Sequence, residues 1–340
     1  MRIDLPSPPR RILIVKPSAL GDIVHALPVL HLLRQKFPRA HITWLATPAF
    51  APLLDGHPLI DRVMLFERRR RVQTAATHRL SALLAFSRQL NEADFDLVID
   101  LQGLFRSGLF TWLTSAATRI GFDYAREGAP WFYTHRVPTP TRERHAVERY
   151  LDVAEALGCG RGPVVFDFGL GKTLDQLLAA VENVGPYCVL LPGTNWATKR
   201  WPAEHFAELV GPIENELGLR CVVAGGSDVK QLAQAVPAID LTGQTDLKQL
   251  VRLIRHADLV IANDSGPMHI AAALGRPLVT MFGPTNPIRT GPYARPKTVA
   301  RLQIICHPCY SRECNHHTCM KELRPSSVLA AAKAELEIAR

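Results

Sequence analysis

The sequence lacks any apolar run approaching the roughly 20 residues that a membrane-spanning helix needs. Its opening, Met1-Arg2-Ile3-Asp4-Leu5-Pro6, lacks the apolar stretch of a secretion signal. The expectation is therefore a cytoplasmic protein. There is no low-complexity tract. No glycine turn has the strict G-x-G-x-x-G spacing, so nothing points to a nicotinamide or flavin cofactor. Basic residues interleaved with aromatics are also missing, and with them any recognisable nucleic-acid reading motif. Nucleic acid is not an expected partner, although charge alone leaves a non-catalytic nucleic-acid binder as a third reading.

What is present describes a globular chain. Apolar residues make up 47% and charged residues 21%. A length of 340 residues suits two domains with a core each. The formal net charge of +9 is uneven: residues 1–165 carry +7 and the remainder +2. A basic first half suits an anionic partner, whether a phosphorylated substrate or a membrane surface. The densest run, Arg68-Arg69-Arg70-Arg71, also reads as a solvated loop.

Short apolar runs alternate with helical stretches along both halves. Arg11–Val15, His41–Ala46, Arg62–Phe66 and Phe95–Asp100 read as strands, with helices over about Ile23–Phe37, Thr77–Asn91 and His145–Leu157. Pro28 should kink the first helix or mark its late start. Residues 158–173 carry five glycines and look like a linker. A second series follows in Tyr187–Leu191, Arg220–Ala224, Ala257–Ala262 and Pro277–Phe282. The fold class is α/β, with two Rossmann-like domains and a ligand cleft expected between them. The boundaries read as domain 1–165, linker 166–184, domain 185–324 with a cysteine-rich tail, and a helix over 325–340 packing back on the first domain.

In Asn263-Asp264-Ser265-Gly266-Pro267-Met268-His269, a small polar turn joins a buried strand to a helix. Open α/β sheets place ligands there, and free backbone N–H groups favour an anion such as a diphosphate. Asp264 and Ser265 also read as simple helix caps. Thr194, Lys199 and Arg200 follow another strand and suit a diphosphate leaving group. His269 is placed to face the same anion or to sit buried as a structural residue. Gly225-Gly226-Ser227 and Phe282-Gly283-Pro284-Thr285 are further strand-end turns. In the first half Asp22 follows Gly21 at a strand-to-helix turn, where a carboxylate caps the helix or acts as a general base. The segment from Leu104 to Ile120 holds Phe105, Phe110 and Trp112 between Arg106 and Arg119. It reads as a core helix more readily than as one lying on a membrane.

Four of the seven cysteines fall within 14 residues, as Cys306-x2-Cys309-x4-Cys314-x4-Cys319. That spacing suits a tetrahedral thiolate site, with His307, His316 or His317 as replacement ligands. A structural zinc or iron ion is the expectation. A disulfide pair and free thiols are the alternatives.

Ile12 to His25, containing Lys16-Pro17-Ser18-Ala19-Leu20-Gly21-Asp22, resembles the opening of the lipopolysaccharide heptosyltransferases, glycosyltransferase family 9. Asp264 to His269 and Phe282 to Thr285 resemble that family's donor site, in the same order along the chain. The resemblance implies a GT-B fold and an inverting transfer from ADP-heptose to a Kdo/heptose inner-core lipopolysaccharide acceptor, with no cofactor required. It implies Asp22 as catalytic base and Lys199 on the donor phosphates. Asp264, Ser265, Gly266 and His269 are the implied nucleotide-sugar turn, and Thr194, Arg200 and Gly226, read from the strand-end turns, complete the candidate donor set. Ala125-Arg126-Glu127 and His145-Ala146-Val147-Glu148-Arg149 resemble acceptor-facing segments of type I members. Ser18, Gly21, Arg126, His145 and Arg149 are thus the implied acceptor contacts, and peripheral contact with the inner membrane leaflet follows. The cysteine tail departs from those members. So does Val229-Lys230, where an acidic ribose partner is expected; Asp228 is the nearest substitute. The rival readings are a nucleotide-sugar epimerase on the same scaffold and a member using another sugar donor.

Overall fold

The computed structural model describes residues 2–67, 76–141 and 143–339. The Arg68–Arg71 run therefore lies outside the described residues. The chain divides into two compact units, Met1–Gly169 and Leu170–Arg340.

In the first unit, strands β1 (Arg11–Val15), β2 (His41–Ala46), β3 (Arg62–Leu65), β4 (Leu97–Asp100), β5 (Thr118–Phe122) and β6 (His135–Val137) form one sheet. Their order is β3-β2-β1-β4-β5-β6, and every pairing is parallel. The central strands are apolar without alternation because helices cover both faces of a parallel sheet. Ile12, Leu13, Ile14 and Val15 are all fully buried. In the second unit, β7 (Tyr187–Leu191), β8 (Arg220–Val223), β9 (Ile239–Asp240), β10 (Leu259–Asn263), β11 (Leu278–Met281) and β12 (Val299–Ala300) follow the same plan. The order is β12-β11-β10-β7-β8-β9. Each unit is thus doubly wound, with one switch point, at β1/β4 and at β7/β10. Ligands bind beyond the carboxyl ends of the strands at such points.

One expectation needs correction. The first helix, Leu20–Lys36, starts earlier than the pattern suggests and runs through Pro28. Proline there forfeits one backbone hydrogen bond. The buried face offsets that loss, since Ile23, Val24, Val29 and Leu30 are fully buried. The last helix, Pro325–Ala339, packs on the second unit. Val328 and Ala332 lie in a core cluster with Trp201 and Phe206. Lys333 pairs with Glu216 at 2.5 Å and Arg295 with Glu335 at 3.0 Å.

Gly121, on β5, lies against the Tyr133 ring: a Cβ there would sit 2.2 Å from Cε2. The Tyr133 hydroxyl in turn donates to Asp100 Oδ2 at 2.7 Å. The ring is therefore held at its far end and yields little. Gly121→Ala is expected to destabilise the first unit by about 1–3 kcal/mol through overpacking. Urea denaturation checks this, and an unchanged midpoint would show that the ring moves aside freely.

Candidate active site

The β1 strand ends directly in Lys16, whose side chain is only 2% exposed. Its ammonium donates to the Leu101 carbonyl at 3.0 Å, bridging the carboxyl ends of β1 and β4 at the switch point. Burial pulls the Lys16 pKa below the ordinary lysine range. The charges of Asp22 and Asp100 oppose that pull, and those of Arg149 and Arg126 add to it. One turn later Asp22 sits in the first turn of helix Leu20–Lys36. Its Oδ2 accepts from the Ala19 N–H at 3.3 Å, so it does cap its helix. Its Oδ1 accepts from the Tyr150 hydroxyl at 3.3 Å and lies 3.8 Å from Lys16 Nζ. The Asp22 side chain keeps 40% exposure, so a capping role leaves it accessible to a reactant. Burial raises the Tyr150 pKa well above the usual phenol value, which keeps its hydroxyl a donor.

Tyr150 comes from helix Ala146–Ala156, which also carries Arg149. The Arg149 guanidinium donates to the Tyr124 hydroxyl at 2.8 Å and lies 5.4 Å from that ring's centroid. Its Nε is buried without a hydrogen-bond partner. His145 caps this helix, Nδ1 accepting from the Val147 N–H at 3.2 Å, with its ring 5.0 Å from that of His25. Arg126 anchors by its backbone N–H to the Gly103 carbonyl at 2.9 Å, leaving its side chain exposed. Ser18 is half-buried and Gly21 buried on the approach to Asp22. The first unit thus brings Asp22 together with Lys16 and Tyr150, and places Arg126 and Arg149 close enough for Lys16 to feel both charges. Sequence reasoning missed Lys16 and Tyr150. A lysine closing the apolar run Ile12–Val15 was the available signal for Lys16.

The second unit builds a counterpart at β7/β10. Asn263 is fully buried. Its Nδ2 donates to the Pro192 carbonyl at 2.8 Å, and its Oδ1 accepts from the Trp201 N–H at 3.1 Å. The Thr194 hydroxyl donates to the Asp264 carbonyl at 3.0 Å. These bonds fix the loops after β7 and β10 against each other. The Asp264 carboxylate, 5% exposed, accepts at Oδ2 from Lys199 Nζ at 2.7 Å and from the Thr285 hydroxyl at 2.5 Å. Lys199 Nζ also lies 4.7 Å from the Trp196 ring centroid, as does the Arg312 guanidinium carbon. Arg200 reaches the Thr194 carbonyl only at 3.3–3.4 Å, a loose bond.

The helix-cap reading of the 263–269 turn is not met. Ser265 is the N-cap of helix Gly266–Ala273 but makes no side-chain capping bond. Its Oγ is buried and has no partner. His269 is buried in the same helix. At the neighbouring strand end Gly225 takes φ +155, and a Cβ there would come 2.6 Å from Val229 Cγ2. Gly226 and Asp228 are exposed beside it.

The metal expectation finds no support in the structure. Among the described residues no group of three or more His, Cys, Asp or Glu side chains is gathered to hold a metal ion. Cys306, Cys309, Cys314 and Cys319 are free; the first two are exposed and the last is buried. Burial, with the three other thiols nearby, pushes Cys319 up to about 11. The histidines are used otherwise. The His307 Nδ1–H donates to the Gly283 carbonyl at 2.6 Å, and the His317 Nε2–H to the Thr198 carbonyl at 2.8 Å. The Thr198 hydroxyl returns a bond to the Ser311 carbonyl at 2.8 Å. The loop from 306 to 319 thus laces together the two turns that carry Lys199 and Thr285.

The pair Lys199–Asp264 generates a prediction. Lys199→Met leaves a buried carboxylate with only a hydroxyl for support, and is expected to cost about 3 kcal/mol. Asp264→Asn in the same background should recover at least half of that loss. Denaturant midpoints of the single and double variants check it; additive losses would mean the two groups are uncoupled.

Each unit carries a ligand-ready switch point, and two such units in tandem define the GT-B class of glycosyltransferases. The family model "Glycosyltransferase family 9 (heptosyltransferase)" matches residues 83–320. The lipopolysaccharide heptosyltransferase 1 of Pseudomonas aeruginosa is 34% identical over 316 residues, spanning 90% of this chain and 88% of that protein. The solved structure of E. coli heptosyltransferase WaaC with ADP superposes with a TM-score of 0.78 at 28% identity, over 96% of this chain and 99% of that one. The same enzyme with ADP-2-deoxy-2-fluoro heptose gives a TM-score of 0.76, over 97% and 100% of the two chains. The chain belongs to glycosyltransferase family 9.

Proposed function

We propose that the protein transfers a heptose from ADP-heptose to a Kdo/heptose inner-core acceptor of lipopolysaccharide, with inversion at the anomeric carbon. The observation that carries the reading is the accessible Asp22 carboxylate, fixed at both oxygens among Lys16, Tyr150 and two nearby arginines. It is supported by relatives named lipopolysaccharide heptosyltransferase and by a related enzyme solved with an ADP-heptose analogue.

In the proposed step the acceptor hydroxyl gives its proton to Asp22 as its oxygen bonds to the anomeric carbon. The bond from that carbon to the diphosphate oxygen breaks, and ADP leaves. Lys199, Arg200, Thr194 and the backbone N–H groups opening helix Gly266–Ala273 stabilise the leaving diphosphate, with Ser265 Oγ as a spare donor. Gly226 leaves room for the nucleotide beside Asp228, and His269 lines the same turn. Arg126, Arg149 and His145 pair with the acid groups of the acceptor, while Ser18 and Gly21 shape the approach to the base. This chain's own donors account for the step, so no cofactor enters it.

Asp22→Asn is expected to lower kcat by about a thousandfold or more while ADP-heptose still binds. Steady-state rates with calorimetric donor binding check this, and near-normal turnover would reduce Asp22 to a cap. ADP release without any acceptor would instead favour the epimerase reading. Tyr150→Phe removes one donor from Asp22 without changing shape. A fall in kcat of about tenfold is expected with the donor KM unchanged, and no further fall when it is added to Asp22→Asn.

A further inference from the structure

We infer that the second unit carries a further binding site, for a small organic anion, in a cavity at the amino ends of its strands. The cavity measures about 630 Å³, within the range of roughly 300–1,000 Å³ that small-ligand sites occupy. Pro186, Leu219, Asp258 and Pro277 line it, and each immediately precedes a strand: β7, β8, β10 and β11 in turn. Those four strands are parallel. The cavity thus lies at the opposite end of the sheet from the β7/β10 switch point, and the turns that carry Lys199 and Asp264 take no part in it.

Arginine sets the chemistry of this cavity. Arg276 and Arg295 both line it. Arg295 is committed: Nη1 donates to the Arg276 carbonyl at 2.7 Å and Nη2 to Glu335 Oε2 at 3.0 Å. Those bonds tie the Arg276 backbone to the last helix. The Arg276 Nε, by contrast, is buried without a hydrogen-bond partner. Both carboxylates that line the cavity are held by other donors. Asp258 Oδ2 accepts from the Tyr187 N–H at 2.9 Å, and Glu335 from Arg295. Burial pulls the Arg276 pKa below the ordinary guanidinium range; Arg255 and Arg295 add to that pull and Asp258 opposes it. A guanidinium donor withdrawn from water and left unbonded is destabilising, and a bound anion relieves it. The planar fork of arginine matches two oxygens of a carboxylate or a phosphate. The remaining wall is apolar. Leu217, Leu336 and Ile338 face the same space, and Ile338 is 69% exposed. The ligand that uses both features has an anionic head on Arg276 and an apolar body along those side chains. This site does not rest on the proposed transfer or on the role of Asp22.

The test is calorimetric titration of the full-length protein with phenyl phosphate, benzoate and inorganic phosphate. Phenyl phosphate or benzoate is expected to bind, and the tighter of the two names the head that Arg276 takes. Arg276→Met should weaken that binding at least about tenfold, since it removes the charged donor and keeps the apolar stem. Its melting temperature should equal or exceed that of the wild type, because an unpaired buried donor is lost, and this shows that the variant folds. Ile338→Ser, at an exposed position, should weaken the same binding about threefold by trimming the apolar wall. No binding of either aromatic probe at millimolar concentration would overturn the inference. So would affinity unchanged in both variants, which would place the anion elsewhere, at the switch point for instance. Inorganic phosphate binding as tightly as the aromatic probes would reduce the cavity to an adventitious ion site only and overturn it as well.

Discussion

A carboxylate buried almost completely is the constraint around which the second unit is organised. Burying the Asp264 carboxylate calls for a cation and a hydroxyl at bonding distance, and Lys199 and Thr285 supply them. Those two residues come from the loop after β7 and the turn after β11, so three strand ends converge on one oxygen. Asn263 and Thr194 then bond those loops to each other, which fixes where the N–H groups of the following helix point. The positive charge of Lys199 is consequently shared. In the proposed reaction it meets a diphosphate only in the measure that Asp264 releases it.

The first unit inverts the arrangement. There the buried charge is the cation of Lys16, and the carboxylate of Asp22 stands near the surface. The same strand topology thus yields an electron-rich group at one switch point and an electron-poor surround at the other. Those are the complementary demands of attack and departure in a displacement. In the proposed reaction, the opposite placement of the charges suits one unit to the hydroxyl and the other to the leaving group.

Much of this was legible beforehand, for reasons that are local. Unbroken apolar runs such as Ile12–Val15 and Leu259–Ala262 announce parallel strands, and a small polar turn after each announces a ligand-facing end. Asp22, Lys199 and Asp264 could be singled out because they lie on such turns. What stayed hidden depends on distant packing. Tyr150 reaches Asp22 across 128 positions, only because helix Ala146–Ala156 lies on helix Leu20–Lys36. Strands β9 and β12 are two residues each, too short for a period to show. The cysteine spacing spoke for a metal because spacing is local; the fold brings Cys306, Cys309 and Cys314 near Cys319, yet no set of three or more ligand side chains among the described residues is gathered to hold an ion. The histidines of this loop bond to carbonyls instead.

That loop has a practical consequence. Cys306 and Cys309 are exposed thiols on a segment stitched by hydrogen bonds to the turns around Lys199 and Thr285. Cys188 and Cys221, by contrast, are sealed in the sheet. A maleimide dye coupled to the native protein would therefore settle first on the laced segment, giving a built-in optical reporter on the turns that carry Lys199 and Thr285 without any engineered attachment point.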